Sequence, residues 1–261
     1  MKNRYGGIPM REVILEPVRR ESVGVDVFFL PGELTPEHRV DSSVVVFDVL
    51  RATTSITSAL SAGVREVRVF GDIRSAERSA RAFGDAALLC GEVTCLRPPG
   101  FELGNSPGEY ERGRHAGRVT FLSTTNGTQA IIAARGAALI LVGALVNATA
   151  VARRLAAVGR DVSLLCAGTQ GRYSMEDVIG AGAVIDALES INGCTPSSDA
   201  ARMALRLFRE SKSCLRETLS DTTSGGNLRK AGLEKDIDFC AVLDSIPIVG
   251  VVCDNPLRVV L

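Results

Sequence analysis

Short apolar runs alternate along the chain with segments that have helical spacing. Three stretches share one layout, in which a β-rich run ends in small polar residues and a helix-like segment follows. They are VVVFDVLRATTSITSALSAG (44–63), VTFLSTTNGTQAIIAARGAA (119–138) and VSLLCAGTQGRYSMEDVIGAGAVIDAL (162–188). The helical spacing is carried by Ile131, Ala134 and Ala138 in the second and by Val178, Gly182 and Ile185 in the third. Each stretch predicts a strand, a polar loop and a helix.

Further short apolar runs fill the gaps between these units. They are VDVFFL (25–30), VREVRVF (64–70), AALLC (86–90), AALILVG (137–143) and AVLDSIPIVGVV (241–252). Strands that alternate with helices predict an α/β fold, with a largely parallel sheet covered by helices on both faces. Residues 192–236 are polar and helical in character, with a flexible TTSGGN at 222–227. No linker divides the chain, so we expect an N-terminal extension over 1–22 and a single domain over 23–261.

Composition excludes several functional classes. The formal net charge is zero, aromatic residues make up 5% and tryptophan is absent, which disfavours nucleic acid and membrane surfaces as partners. Seven cysteines without a CxxC pair disfavour a zinc site or a disulfide framework and favour a reducing, cytoplasmic compartment. With only two histidines, any metal is expected to have oxygen ligands. The first 22 residues lack the apolar stretch of a signal peptide. The sequence leaves a homo-oligomeric state open.

Small polar residues at the three strand ends predict an anion pocket. A helix that begins there directs free N–H groups and a partial positive charge at a ligand. Because parallel strands end at one edge of a sheet, we expect residues 48–55, 123–128 and 166–174 to converge. The alternative is that Thr53, Thr124 and Ser174 are ordinary N-caps.

Asp48 and Arg51 follow the first strand. A carboxylate at the end of an apolar run is usually paired, so one interpretation is an ion pair with Arg51. The other is that Asp48 holds a metal ion or orients water, while Arg51 neutralises a phosphate or sulfonate oxygen. Thr53 and Thr54 would begin a helix that binds the phosphoryl group. Leu50 stands where an aspartyl-phosphate enzyme would have a second aspartate.

The other two polar loops offer further candidates. Glu92 opens a long irregular loop, 90–110, and is either a solvated charge or a carboxylate at the site. Gly127 would let the backbone approach a ligand, but no lysine follows it as in a P-loop, which disfavours a nucleotide triphosphate. Asp177 either caps a helix or serves as a second oxygen ligand for Mg²⁺.

Cys166 and Arg172, separated by five residues in CAGTQGR, are similar to the phosphate loop of cysteine phosphatases. The histidine that usually precedes the cysteine is missing, because Leu165 stands there. The alternative is that Cys166 is a small apolar residue that closes a strand.

Six long motifs, taken in order, resemble the 2-phosphosulfolactate phosphatase family, also called ComB. They are FDVLRATTSITSAL, GFELGNSPGEY, STTNGTQAI, NATAVA, CAGTQGRYSMEDVIGAGAV and DIDFCAVLDSIPIV, and the resemblance extends over about residues 25–249. It implies a three-layer α/β/α domain with a largely parallel or mixed central sheet. It also implies a Mg²⁺-dependent phosphatase that converts 2-phospho-3-sulfolactate to 3-sulfolactate, on the route to coenzyme M. The sequence departs from the family's Gly-Gly-Glu-Arg at residues 90–93, where Val93 replaces the arginine.

These observations give a set of expected roles. Asp48, Arg51 and Glu92 are expected to be catalytic, and Asp48, Glu92 and Asp177 to hold Mg²⁺ while a metal-activated water attacks phosphorus. The expected substrate-binding residues are Thr53, Thr54, Asn105, Ser106, Thr124, Thr125, Asn126, Gly127, Thr128, Gly168 and Arg172. The partner is then a small anionic phosphorylated substrate. The alternatives are a non-catalytic protein that binds a phosphorylated or sulfonated acid, and a phosphatase with Cys166 as nucleophile.

Overall fold

A nine-stranded mixed sheet forms the centre of the structure, a computed structural model that describes residues 23–192 and 194–261. The expected N-terminal extension, 1–22, lies outside the described residues. The strands are β1 (Val25–Phe28), β2 (Ser43–Phe47), β3 (Glu66–Phe70), β4 (Ala87–Gly91), β5 (Val119–Ser123), β6 (Leu139–Gly143), β7 (Val162–Cys166), β8 (Gly250–Cys253) and β9 (Arg258–Val260). Their order across the sheet is β1-β7-β2-β6-β8-β9-β3-β5-β4.

Helices cover both faces of this sheet. They are α1 (Pro36–Val40), α2 (Ala52–Ser61), α3 (Ile73–Phe83), α4 (Arg112–His115), α5 (Gly127–Ala133), α6 (Ala148–Val158), α7 (Met175–Asn192), α8 (Asp199–Ser211), α9 (Leu215–Asp221), α10 (Thr223–Lys230) and α11 (Glu234–Cys240). None of the helices in the described ranges is long and apolar enough to span a bilayer.

The all-buried strand β2 shows how the three layers form. Val45 and Phe47 belong to the core that contains α6, α7 and α8, whereas Val44 and Val46 belong to the core that contains α2 and α5. Because successive strand residues point to opposite faces, an uninterrupted apolar run is needed when helices lie on both sides. The expected three-layer α/β/α fold with a mixed sheet is confirmed.

Strand direction differs from the sequence-based expectation. β1, β7, β2 and β6 are mutually parallel, as are β3, β5 and β4. The hairpin of β8 and β9 lies between the two groups, and the three successive pairings from β6 to β3 are all antiparallel. Along the ladder, β3, β5 and β4 therefore run opposite to β2 and β7, so the carboxyl ends of all the parallel strands do not share one straight edge.

The two groups of strands nevertheless share a core. Val44 and Val46 of β2 belong to the same buried cluster as Val69 of β3 and Leu122 of β5. The inward faces of α2 and α5 lie in that cluster too, through Ile56, Ala59, Leu60, Ala130, Ile131 and Ala134. Since a sheet of this size accumulates a large twist, we infer that it wraps around α2 and α5.

Three local predictions were wrong. The run 241–252 is a strand only over Gly250–Cys253, and its earlier part consists of turns. TTSGGN is not a flexible loop: Thr222 accepts a hydrogen bond from Gly225 N (3.0 Å) and caps α10. A β-carbon at Gly225 would collide with the backbone oxygen of Leu219, so close packing of α9 and α10 outweighs the low helix propensity of glycine. Finally, α5 ends at Ala133, before Ala138.

Candidate active site

A cavity of about 530 Å³ lies where the polar loops meet. Its lining residues are Asp48, Leu50, Arg51, Glu92, Val93, Thr94, Cys95, Leu96, Asn105, Thr125, Asn126, Thr169, Gln170, Ser224, Asn227, Leu228, Lys230 and Ala231. Asp48 follows β2, Thr125 follows β5 and Thr169 follows β7, so all three predicted strand ends contribute. They do not converge because all the strands run in one direction, since β5 runs opposite to β2 and β7. We infer that the curl of the sheet around α2 and α5 brings them together.

Asp48 is a buried carboxylate at the centre of this site. Its side chain is 7% exposed, and Oδ1 accepts a hydrogen bond from Ala52 N at 3.2 Å. Burial raises the pKa of Asp48 to about 7, and the charges of Glu92 and Glu176 add to the rise. The expected ion pair with Arg51 is not formed, since the guanidinium binds elsewhere. Asp48 is therefore a carboxyl group that lacks a direct counter-ion among the described residues.

Gly127 is required by the position of Asp48. A β-carbon at Gly127 would lie 2.5 Å from both Asp48 Oδ2 and Ala52 Cβ. Only glycine lets α5 begin directly against the carboxylate and against the first turn of α2. Gly127 therefore sets the distance between the first two strand-end loops. The sequence predicted an approach of its backbone to a ligand, whereas the atoms next to it belong to Asp48 and Ala52.

Glu92 holds two loops together at the wall of the cavity. Oε1 accepts a hydrogen bond from Thr125 N (2.7 Å), and Oε2 accepts one from Cys95 N (2.9 Å). The side chain is 9% exposed, so it is not a solvated loop charge. It lies close enough to Asp48 to raise the pKa of that carboxyl group.

Arg51 is the first cation of the site and is held at three points. Nη1 donates to Asp236 Oδ2 (2.6 Å) and to Ser106 Oγ (3.1 Å), and Nη2 donates to Cys95 O (2.6 Å). Ser106 Oγ in turn donates to Asp236 Oδ2 (2.7 Å). The network fixes the planar guanidinium of Arg51 at the cavity wall, and Asp236 neutralises part of its charge.

Asn105 has an unusual position for an amide. It is 4% exposed and lines the cavity, yet its Oδ1 accepts no hydrogen bond from any described residue. A buried carbonyl oxygen without a partner is costly, and native proteins usually keep one for a ligand, an ion or water. Its backbone oxygen accepts from Ser55 Oγ (2.6 Å), which ties the loop to α2.

Asp177 occupies a different place from the one expected of a metal ligand. Oδ1 accepts from Val49 N (2.8 Å) and Oδ2 from Gly168 N (3.1 Å), so the carboxylate joins the loops after β2 and β7. Burial raises its pKa well above the usual range, with Glu176 and Asp48 adding to the effect. Within residues 23–192 and 194–261, no three His, Cys, Asp or Glu side chains are arranged to hold a metal ion. The expected shell of three carboxylates is not formed.

Four predicted substrate-binding hydroxyl groups serve the backbone instead. Thr53 Oγ1 donates to Asp48 O, and Thr54 Oγ1 donates to Val49 O, both at 2.9 Å. Thr128 Oγ1 donates to Thr124 O (2.8 Å), and Thr124 Oγ1 accepts from Thr128 N (3.1 Å). All four side chains are buried at the corners between strand and helix, where the buried backbone groups of the loops need hydrogen-bond partners.

The third loop meets the cavity through different residues from those expected. Gly168 has φ +71° and no room for a β-carbon beside Arg172 O, so its role is in the turn. Arg172 is exposed and pairs with Thr169 through its backbone. Thr169 and Gln170 line the cavity instead, and Gln170 N donates to Asn126 Oδ1 (3.2 Å).

Cys166 is fully buried at the end of β7, in the core beneath α7. Burial raises the pKa of its thiol well above the usual range, with Asp177 and Glu176 adding to the effect. A nucleophilic cysteine needs the opposite, an accessible thiolate beside positive charge. The geometry favours the interpretation in which Cys166 is a packing residue.

Several site residues were missed by the sequence analysis. Ser224, Asn227 and Lys230 lie on α10 and Asp236 lies on α11. Residues 192–236 had only a polar, helical character, without a spacing that points to chemistry. The sequence did contain a signal for Asp236, which belongs to the motif DIDFCAVLDSIPIV. A carboxylate in an apolar segment of this kind is usually paired with a cation.

Fold and site together define an α/β protein with a cavity at its strand ends that is lined by two carboxylates, a guanidinium and an ammonium group. A model of the 2-phosphosulpholactate phosphatase family matches residues 29–255. The chain belongs to this family of phosphoric monoester hydrolases.

Individual relatives agree with this assignment. A probable 2-phosphosulfolactate phosphatase of Symbiobacterium thermophilum is 39% identical over 208 residues, 79% of this chain and 89% of the relative. Those of Carboxydothermus hydrogenoformans and Synechococcus sp. are each 37% identical over 86% of this chain, covering 91% and 94% of the relatives.

Proposed function

We propose that this protein is a Mg²⁺-dependent phosphatase that hydrolyses 2-phospho-3-sulfolactate, or a related small phosphorylated acid, to the hydroxy acid and phosphate. The observation that carries the proposal is the buried carboxylate of Asp48. It lines the cavity beside Glu92 and has no direct counter-ion among the described residues. A buried carboxylate without a counter-ion is stabilised by a cation, and a magnesium–phosphate complex would supply one together with an anion.

The donor set fits Mg²⁺ without a third carboxylate. Mg²⁺ usually takes one or two carboxylates and completes its shell with water and substrate phosphate. Asp48 and Glu92 would hold it, and the unpartnered Oδ1 of Asn105 is a further oxygen that faces the same cavity. Bound there, Mg²⁺ would neutralise charge on the phosphoryl oxygens and acidify a water molecule for attack.

The chain's own residues would position the substrate. Arg51, fixed by Asp236 and Ser106, presents a cation to the phosphoryl group without having to be ordered during the reaction. Thr125 and Asn126, at the start of α5, bring a second polar edge to the same cavity. Attack of water on phosphorus breaks the bond to the ester oxygen, and that oxygen takes up a proton as the alcohol leaves.

Hydrolysis of 2-phosphosulfolactate and of a generic phosphate ester, each measured with Mg²⁺ and with EDTA, tests the proposal. We expect turnover that EDTA abolishes and Mg²⁺ restores. Full turnover in EDTA would favour a cysteine nucleophile. Tight binding of the ester without any turnover would favour a non-catalytic binding protein.

A further inference from the structure

One wall of the cavity is a single face of α10. Ser224, Asn227 and Lys230 all line the cavity and follow one another at intervals of three residues. Residues three apart lie on the same face of a helix. The wall therefore contains a polar stripe that ends in Lys230, with Leu228 and Ala231 beside it.

The stripe is fixed relative to the strand-end loops. Ser224 Oγ lies 2.9 Å from Thr169 Oγ1, which itself lies 2.6 Å from Ser174 Oγ. Thr222 caps the helix through Gly225 N (3.0 Å). The position of Lys230 along the cavity wall is thus set by the same loop that follows β7.

Lys230 differs from the other cation of the cavity in its partners. The charged lining residues are Asp48, Glu92, Arg51 and Lys230. Arg51 is paired with Asp236 at 2.6 Å. Lys230 is exposed and forms no hydrogen bond or ion pair with any residue in the described ranges. Its charge is available to an anion that enters the cavity.

We propose that Lys230, with Asn227 beside it on α10, binds the second acidic group of the substrate and so makes the enzyme selective for phosphorylated acids over simple phosphate esters. This inference rests on the proposed function. Lys230 lines the cavity, whereas Arg172, which was expected to bind substrate, does not. The phosphoryl group is assigned to Asp48, Glu92 and Arg51 of the same cavity, and an ammonium group is a suitable partner for either a carboxylate or a sulfonate.

The test compares four esters that differ only in their acidic groups. They are 2-phosphosulfolactate, 2-phospholactate with the carboxylate alone, 1-sulfo-2-propyl phosphate with the sulfonate alone, and isopropyl phosphate with neither. For Lys230→Gln, we expect kcat/KM for the acidic esters to fall about tenfold more than for isopropyl phosphate, mainly through KM. The acidic ester that loses its advantage over isopropyl phosphate identifies the group that Lys230 binds. Lys230→Arg should retain most of the preference for acidic esters.

Arg229→Gln is the matched control. Arg229 is the neighbouring cation in the same last turn of α10, is exposed and does not line the cavity. Replacing Arg229 changes the helix terminus and the net charge as replacing Lys230 does, but it removes no residue of the cavity lining. It should therefore leave the preference for acidic esters unchanged. Equal loss of preference in both variants, or none in Lys230→Gln, overturns the inference.

Calorimetric titration with 3-sulfolactate separates the inference from the proposed function. If wild-type protein hydrolyses none of the esters, the proposed function fails, while the binding result still decides the role of Lys230. We expect 3-sulfolactate to bind about tenfold more weakly to Lys230→Gln than to Arg229→Gln. Equal affinity, or no binding to the wild type, contradicts the role of Lys230.

Discussion

Asp236 Oδ2 lies 2.6 Å from Arg51 Nη1, and the two side chains are 8% and 3% exposed. This buried ion pair connects α11 to the residue at which α2 begins. It keeps the guanidinium away from Asp48, whose carboxyl group would otherwise compete for it. We therefore expect Asp236 to act as a positioning residue that leaves Asp48 without a direct counter-ion among residues 23–192 and 194–261.

Replacement of Asp236 should change the pH dependence as well as the stability. In Asp236→Asn, Arg51 loses its charged partner, and we expect unfolding to become easier by about 3 kcal/mol. The guanidinium is then free to turn to Asp48, which lowers the pKa of that carboxyl group and shifts the acidic limb of the kcat/KM profile to lower pH. The profile and urea unfolding measure these effects.

Asp238→Asn is the control for Asp236. Asp238 lies on the same helix, but its ion pair with Arg216 is exposed. Both the stability and the pH profile should stay close to wild type, because exposed pairs contribute little. An unshifted profile in Asp236→Asn would mean that Asp236 is structural only.

Asp48→Asn should abolish activity yet stabilise the metal-free protein at pH 8. The pKa of Asp48 rises to about 7 in the folded state, above its ordinary value in the unfolded chain. The folded state thus holds the proton more tightly, so this group's contribution to stability is greatest below pH 4 and is lost as the pH rises to about 7. Removing the charge should recover on the order of a few kcal/mol at pH 8.

Thermal unfolding in EDTA at pH 5 and pH 8 checks this sign, with turnover measured in Mg²⁺. We expect kcat to fall about a hundredfold or more. Asp85→Asn, an exposed turn residue, should change neither property. Wild-type turnover in Asp48→Asn would refute the assigned role.

Asn105 and Asn147 are both buried amides, but replacing them should have opposite consequences. Asn147 Nδ2 donates to Val142 O and Ile248 O, and its Oδ1 accepts from Ala144 N. Asn147→Ala should destabilise the fold by about 2–4 kcal/mol, because it leaves these backbone groups unpaired. Asn105→Ala removes an unpartnered oxygen, so stability should change little while activity falls.

Denaturant unfolding and the Mg²⁺ dependence of kcat measure the two effects. A raised Mg²⁺ requirement in Asn105→Ala fits an oxygen that faces the ion. A large loss of stability with normal kinetics would show that Asn105 is structural.

Gly127→Ala should disturb the close contact of α5 with Asp48 and Ala52. The new β-carbon would lie 2.5 Å from Asp48 Oδ2 and Ala52 Cβ, so α5 must move. We expect a loss of about 1–3 kcal/mol in stability and most of the activity. Gly113→Ala, in α4, meets no atom within 4 Å and should be tolerated. Normal turnover in Gly127→Ala would show that the approach of α5 to Asp48 is unimportant.

Cys166→Ser and Cys166→Ala should retain most of the turnover per folded molecule. The thiol is fully buried and its pKa is raised, so it is poorly suited to attack phosphorus. The serine variant should be the less stable, because it buries a hydroxyl group. Folded variants without turnover that still bind phosphate would restore the cysteine mechanism.

Local patterns in the chain were enough to predict the layers of the fold and the ends of the strands. An unbroken apolar run such as Val44–Phe47 can be buried only between two layers of helices, and small polar residues after it must mark the point where the chain turns. For the same reason Asp48, Glu92 and Thr125 could be named as lining a pocket, since each stands within two residues of a strand end.

Which polar groups face the cavity depends on contacts between segments that are distant along the chain. Thr53 and Asp177 have the same chemistry as neighbouring site residues, but they bond to buried backbone groups and do not line the cavity. Glu92 also bonds to the backbone, yet it lines the cavity. Asp236 and Lys230 reach the site from helices far along the chain, and no local spacing records that approach. The curl of the sheet brings oppositely directed strands to one cavity, because twist accumulates over many pairings and is not encoded in any single strand.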